Sequence, residues 1–190
     1  MKCILASQSP RRREILKLSG WEFEVIPADL EEVTECTDPG GIAMELATQK
    51  AWAVFDQSEQ DVPVVGSDTL VWLDGNEYGK PHKKEKSVEM LRTLSGKTHQ
   101  VISGVCVIDP VQRVSWVVPD LSDVTFRTLT DDEIEMYINI SEPFDRAGSY
   151  SLEGPGELLV EAYSGDFYSI LGLPLQRLLD WESYRNSKEL

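Results

Sequence analysis

The chain has 190 residues, 41% hydrophobic and 27% charged, the balance of an ordinary globular protein with a sizeable core, and it reads as one domain over residues 1–190. Its 18 Lys and Arg against 33 Asp and Glu give a net charge of −15, which disfavours a polynucleotide partner because so acidic a surface repels a phosphodiester backbone. No apolar run approaches the ~20 residues of a membrane span, and three cysteines without CxxC spacing argue against a disulfide framework or a zinc site and for reduced thiols in a cytoplasmic protein.

The first apolar run, Cys3-Ile4-Leu5-Ala6, reads as a strand and leads directly into Ser7-Gln8-Ser9-Pro10-Arg11-Arg12-Arg13. Ser9 suits an N-cap and Pro10 the first helical position, so a helix runs from Pro10 to Ser19 and stops at Gly20. Three arginines in its first turn oppose the helix dipole, which prefers acidic residues there. An external anion resolves the conflict: free N–H groups, hydroxyls and guanidinium forks at a strand-to-helix turn form a phosphate cradle. A solvated basic helix start is the alternative. The placement at the carboxyl end of a strand, where open α/β sheets bind ligands, favours the cradle.

Trp21–Pro27 alternates as a strand. Asp29–Thr37 is acidic and irregular, carrying Glu31, Glu32 and Glu35, and Asp38-Pro39-Gly40-Gly41 is a turn. A helix over Ile42–Phe55 has the apolar stripe Ala43, Leu46, Ala47, Ala51 and Val54. Lys50 falls on that stripe, where a lysine either snorkels outward or reaches into a site. Val62–Leu73 is an apolar strand interrupted by Gly66-Ser67-Asp68, and Asp74-Gly75 turns a hairpin whose register places Lys80 opposite Thr69, beside Asp68. Glu85–Leu94 is a helix ending at Gly96. Val101–Ile108 and Arg113–Val118 are strands around Asp109-Pro110, and Asp123–Leu129 is another. Thr130 to Glu133 is a capping box opening the helix Asp132–Ile140. Phe144–Gly156 reads as a loop, Leu158–Tyr163 and Phe167–Leu171 as a hairpin about Gly165, and Pro174–Tyr184 as a final amphipathic helix. Mixed strands, hairpins and interleaved helices indicate α/β or α+β with a mixed sheet.

Asp68 is the carboxylate that demands an explanation. An unpaired charge in an apolar strand costs several kcal/mol by burial alone, so it needs a structural ion pair or a functional role; the nearby Lys80 favours function. Glu31 and Glu32 form a second carboxylate site, with an exposed acidic loop as the alternative. A second basic cluster, Lys80, His82, Lys83, Lys84 and Lys86, stands out from the acidic background; the last three lysines read as a solvated face. Gly96-Lys97-Thr98 lacks the earlier glycine of a Walker loop. Cationic donors, carboxylates for a divalent metal and a candidate base are the parts that phosphoanhydride hydrolysis requires.

Ala6-Ser7-Gln8-Ser9-Pro10-Arg11-Arg12, Glu32, Lys50, Gly66-Ser67-Asp68-Thr69, Gly79-Lys80-Pro81, Leu94-Ser95-Gly96-Lys97-Thr98-His99, Asp145-Arg146-Ala147-Gly148-Ser149-Tyr150 and Gly172-Leu173-Pro174-Leu175 follow one another in this order. Together they resemble the Maf family of nucleoside triphosphate pyrophosphatases, from about Ile4 to Leu178. The resemblance implies an α/β fold with a mixed central sheet flanked by helices, in an elongated Maf/ITPase-like architecture with a central cleft; it also implies a cytoplasmic and usually homodimeric enzyme and a divalent cation, Mg²⁺ or Mn²⁺. It matches Ser7, Arg11 and Arg12 to the phosphate-binding turn. It matches Asp68 to the catalytic acid or proton acceptor, and Glu32, Lys50 and Lys80 to the supporting charges, with Glu32 and Asp68 as metal ligands. Members resembling dTTP/UTP enzymes carry a threonine after the aspartate and a glutamine in the later Gly-rich loop. Those resembling 7-methyl-GTP enzymes carry a glutamine and a glutamate. This chain combines Thr69 with Glu153, which implies features of both groups. Two other classes suit the same residues: a nucleotidyltransferase, and a nonenzymic nucleotide-binding regulator of cell division.

Overall fold

The computed structural model describes residues 1–58, 61–111 and 114–188. Its strands are β1 (Lys2–Leu5), β2 (Glu22–Val25), β3 (Val64–Leu73), β4 (Asn76–Glu77), β5 (Thr98–Asp109), β6 (Val114–Phe126) and β7 (Val160–Ser164). Its helices are α1 (Pro10–Lys17), α2 (Pro39–Phe55), α3 (Lys84–Leu94), α4 (Asp131–Ser141), α5 (Phe167–Ile170) and α6 (Leu175–Lys188). The described strands form one sheet in the order β2-β1-β3-β5-β6-β7, with β4 on β3. β1 pairs in parallel with β2 and β3, while β3–β4 and β6–β7 are antiparallel, so the sheet is mixed as expected. No helix among the described residues is long and apolar enough to cross a membrane.

The chain falls into two compact units. The first comprises Met1–Thr69, Ser103–Asp120 and Phe167–Leu190. Its core joins Ile4 and Ala6, Val64, Cys106 and Ile108 to Ala47, Ala51 and Val54 of α2. The stripe read from the sequence is the buried face of that helix. Burial pushes the Cys3 thiol up to about 12 and Cys106 to about 11, which keeps both as neutral core groups. Trp21 meets Trp181 of α6 edge-on at 6.2 Å and donates its indole N–H to Glu182 at 3.1 Å.

The second unit comprises Leu70–Ile102 and Leu121–Asp166. Leu91, Leu94, Ile134, Ile138 and Leu159 are buried in it, and His99, Phe126 and Tyr150 stack edge-to-face at 4.7–5.3 Å. The capping box at Thr130 and Glu133 is formed.

Four expectations change. Phe167–Ile170 is a short helix and not a strand; β7 pairs instead with Asp123–Phe126 of β6. The strands expected on either side of Pro119 are one strand, β6. β7 covers only Asp123–Phe126, so Pro119 lies outside that ladder. Arg113, the expected start of this strand, lies outside the described residues. The loop over Phe144–Gly156 contains a 3₁₀ turn at Ala147–Ser149 and the start of a second at Gly154–Leu159. Finally, the hairpin turns at Asp74-Gly75 in the expected register, Leu73 opposite Asn76, but β4 ends at Glu77. Lys80 thus lies beyond the ladder, and the pairing with Thr69 does not form.

Candidate active site

The site is built where β1 ends. Ala6 donates its N–H to the Val65 carbonyl at 2.8 Å, the last rung between β1 and β3, and β3 then runs on past the end of β1 through Asp68 and Thr69. The chain leaving β1 turns through Ser7, whose Oγ accepts from the Ser9 N–H at 3.2 Å. Ser9 caps α1 by accepting from the Arg12 N–H, and Pro10 occupies the first turn. This is the strand, turn and helix expected from the sequence.

Strand alternation puts Gly66 and Asp68 on one face of β3 and Ser67 and Thr69 on the other. Two glycines let α2 lie directly on the first face. A Cβ at Gly66 would sit 2.3 Å from the Ala47 carbonyl oxygen, and one at Gly104 would sit 2.2 Å from that of Ala43. With the helix so close, Lys50 reaches the strand. Its Nζ lies 2.5 Å from Asp68 Oδ1 and 2.9 Å from Glu32 Oε1. Asp68 is only 8% exposed, and Lys50 is the counter-charge that makes its burial tolerable. The sequence reading placed Lys80 beside Asp68; the ammonium that pairs with Asp68 is that of Lys50.

Glu32 comes from the irregular acidic segment, which α2 holds by its side chains. Gln49 donates to the Val33 carbonyl at 2.5 Å and accepts from the Val33 N–H at 3.4 Å, and Thr34 donates to Glu45 at 2.5 Å. Glu31 is exposed and is not part of this group.

On the opposite face, Arg12 is tied at three points. Its Nε donates to the Gly172 carbonyl at 2.8 Å, and its two terminal nitrogens donate to Ser7 Oγ at 3.4 Å and Thr69 Oγ1 at 3.2 Å. Burial pushes its guanidinium below the ordinary value; Asp68 and Glu32 oppose this and Arg11 adds to it. Arg11 is half-buried and Arg13 exposed. Ser7, Arg12, Glu32, Lys50, Asp68 and Thr69 therefore assemble within one unit. Lys80 and Glu153 belong to the other unit, and both are exposed. Glu153 precedes the second 3₁₀ turn and donates its N–H to Ser151 Oγ at 3.4 Å.

The family described as Maf-like protein matches residues 2–181. The chain belongs to the Maf family. It is 44% identical over 179 residues to a dTTP/UTP pyrophosphatase of Bacillus anthracis, covering 94% of this chain and 92% of that protein. A dTTP/UTP pyrophosphatase of Bacillus cereus is 42% identical over the same shares. Among solved structures, the Staphylococcus aureus Ham1 protein shares the fold, with a TM-score of 0.50 and 14% identity over 66% of this chain and 72% of that one.

Several residues that shape this Maf site escaped the sequence reading. Gln49 and Glu45 carry no local signal, because polar residues on a helix face are ordinary. Ser103 had one: it is a polar residue in the apolar run of β5, and it is fully buried. Gly172 stands in the motif Gly172-Leu173-Pro174-Leu175, which gives no sign of the carbonyl that Arg12 uses.

Proposed function

We propose that the chain is a nucleoside triphosphate pyrophosphatase, an enzyme that hydrolyses the α–β phosphoanhydride of a (d)NTP to the monophosphate and pyrophosphate. The observation that carries this reading is Lys50 bound at once to Glu32 and Asp68, at the strand end where the Ser7–Arg12 turn begins. Arginine fork, ammonium and paired carboxylates are what a polyphosphate and its attacking water need. The names of the relatives, dTTP/UTP pyrophosphatase, support the same reaction.

In this reading Ser7, Arg11 and Arg12 bind phosphate oxygens, and Lys50 and Lys80 offset the charge that builds on them. Asp68 accepts the proton of the attacking water. Glu32 and Asp68 offer the hard oxygen donors that Mg²⁺ or Mn²⁺ prefers. Mg²⁺ is held by one or two carboxylates and leaves its other positions to substrate phosphate and water. When bound, such an ion supplies charge neutralisation at the scissile anhydride. The charge of −15 favours a free nucleotide over a polynucleotide. We further read the two units as one working domain, in a cytoplasmic homodimer.

The relatives' names and Thr69 favour dTTP and UTP; Glu153, a carboxylate able to accept from the two adjacent donors of a guanine edge, extends the set to a modified guanine such as 7-methyl-GTP. The test is incubation with each triphosphate and Mg²⁺ or Mn²⁺, reading monophosphate and pyrophosphate. Equal release from water alone is the expected result. Release only with an added phospho-acceptor would make the protein a transferase, and binding without turnover a regulator. Glu153→Gln should shift the kcat/KM ratio at least about tenfold toward dTTP and UTP, because a mismatched polar contact in a site costs about 1–3 kcal/mol. An unchanged ratio would remove Glu153 from base recognition.

A further inference from the structure

Thr69 Oγ1 has two acceptors within reach, Ser103 Oγ at 2.8 Å and the Gly172 carbonyl at 3.4 Å, and the distances select the shorter. Ser103 Oγ lies 2.7 Å from the Ser169 carbonyl oxygen and 2.8 Å from Thr69 Oγ1. A carbonyl oxygen only accepts, so the single proton of Ser103 points to Ser169; otherwise two bare oxygens would face each other at 2.7 Å. Ser103 then has only lone pairs for Thr69, and Thr69 donates to it. Arg12 cannot accept, so Thr69 receives the guanidinium N–H at 3.2 Å. The result is a one-way chain from Arg12 to Thr69 to Ser103 to the Ser169 carbonyl. Ser103 and Ser169 are buried, at 0% and 1% exposure. A second tie runs parallel: Gly172 carbonyl takes Arg12 Nε at 2.8 Å and lies 3.0 Å from the buried hydroxyl of Ser67.

From this chain we infer that Ser103 is a positioning residue for the phosphate grip: it takes the Thr69 proton inward, so Thr69 presents lone pairs to Arg12 and fixes the plane of the guanidinium. Two consequences follow. Thr69 has no proton left to offer a nucleobase carbonyl, so it acts on the substrate through Arg12. Removing the Ser103 hydroxyl frees the Thr69 proton to turn toward the Gly172 carbonyl, 3.4 Å away, where it competes with Arg12 Nε. The inference rests on the proposed phosphate-binding role of Arg12.

The test is a double-mutant cycle with Ser103→Ala and Thr69→Val, read in two ways. The first is binding of α,β-methylene-dTTP with kcat and KM for dTTP. The second is hydrogen exchange of the Arg12 Nε–H by NMR, which needs no turnover. Ser103→Ala should weaken binding and raise KM about tenfold, the scale of one misaligned charge-assisted hydrogen bond, with kcat within about threefold. Arg12 Nε–H exchange should quicken. Both effects should vanish in the Thr69→Val background, where Ser103 has no proton to receive. Unchanged exchange and binding in Ser103→Ala, or an equal loss with and without the Thr69 hydroxyl, would overturn the inference. If Ser103→Ala does not fold, Ser103→Cys, with its weaker hydrogen bonding, takes its place under the same criteria. If the wild type cleaves no triphosphate, the proposed reaction fails, while the exchange measurement still decides the hydroxyl chain.

Discussion

Lys50 separates two carboxylates that would otherwise repel, and Asp68 is the more deeply buried of them. Asp68→Asn keeps the volume and removes the basicity. With Asp68 as proton acceptor, turnover should fall by roughly 10²–10⁴ while the unfolding transition persists; turnover within threefold of the parent in folded protein would exclude that role. The arginines can be ranked in the same way. Arg12 has three anchoring contacts and Arg13 is exposed. Arg12→Ala should therefore weaken triphosphate binding by about tenfold or more, and Arg13→Ala by much less. Equal losses measured by titration would mean that the grip lies elsewhere on α1. At this scale the sequence was most legible where a residue broke its surroundings. Asp68 in an apolar strand called for a partner or a role, and Lys50 on an apolar stripe was open to snorkelling as well as to a site. Their pairing was not legible, because it depends on how closely a helix approaches a strand 18 residues away.

That approach belongs to α2, β3 and β5. Gly66 and Gly104 bring backbone against backbone, so the separation of Lys50 from Asp68 does not depend on how side chains pack between them. Gly104→Ala forces a methyl to within 2.2 Å of the Ala43 carbonyl oxygen. Something must shift, at a cost of about 1–3 kcal/mol or more. Thermal unfolding should register that cost, and turnover should fall with it as Lys50 withdraws from Asp68. A variant with unchanged stability and turnover would refute the close contact. Elements with a clean period or cap were readable: α1 from Ser9-Pro10, α2 from its stripe, α4 from its capping box. The errors arose where tertiary pairing decided. Phe167–Ile170 has the composition of a strand, yet β7 takes the place beside β6. Pro119 looked like a break, yet it lies outside the rungs that β7 forms.

For the molecule as a whole, acid is the most informative stress. His99 is 1% exposed, with its Nε2 against the Tyr150 hydroxyl at 2.7 Å and its Nδ1 without a partner among the described residues. Burial pushes its pKa down from 6.5 to about 4. Between these values the unfolded chain takes up a proton that the folded chain refuses, so stability is lost as pH falls from 6.5 toward 4. The loss from this residue reaches roughly 3 kcal/mol at most. Urea midpoints at pH 7 and pH 5 should show it, and His99→Phe should flatten that stretch of the curve. An equally steep dependence in the variant would assign the acid sensitivity to other groups. A last property of the whole chain follows from the hydrogen bond between Arg12 and Gly172, which joins residues 160 apart. During synthesis Arg12 waits for its acceptor while the next 160 residues are made, roughly eight to thirty seconds at about 5–20 residues per second. No nascent fragment ending before Gly172 can close the arginine's anchor. Competence to hold a triphosphate should therefore arise abruptly, at the moment Gly172 leaves the ribosome and can accept from Arg12.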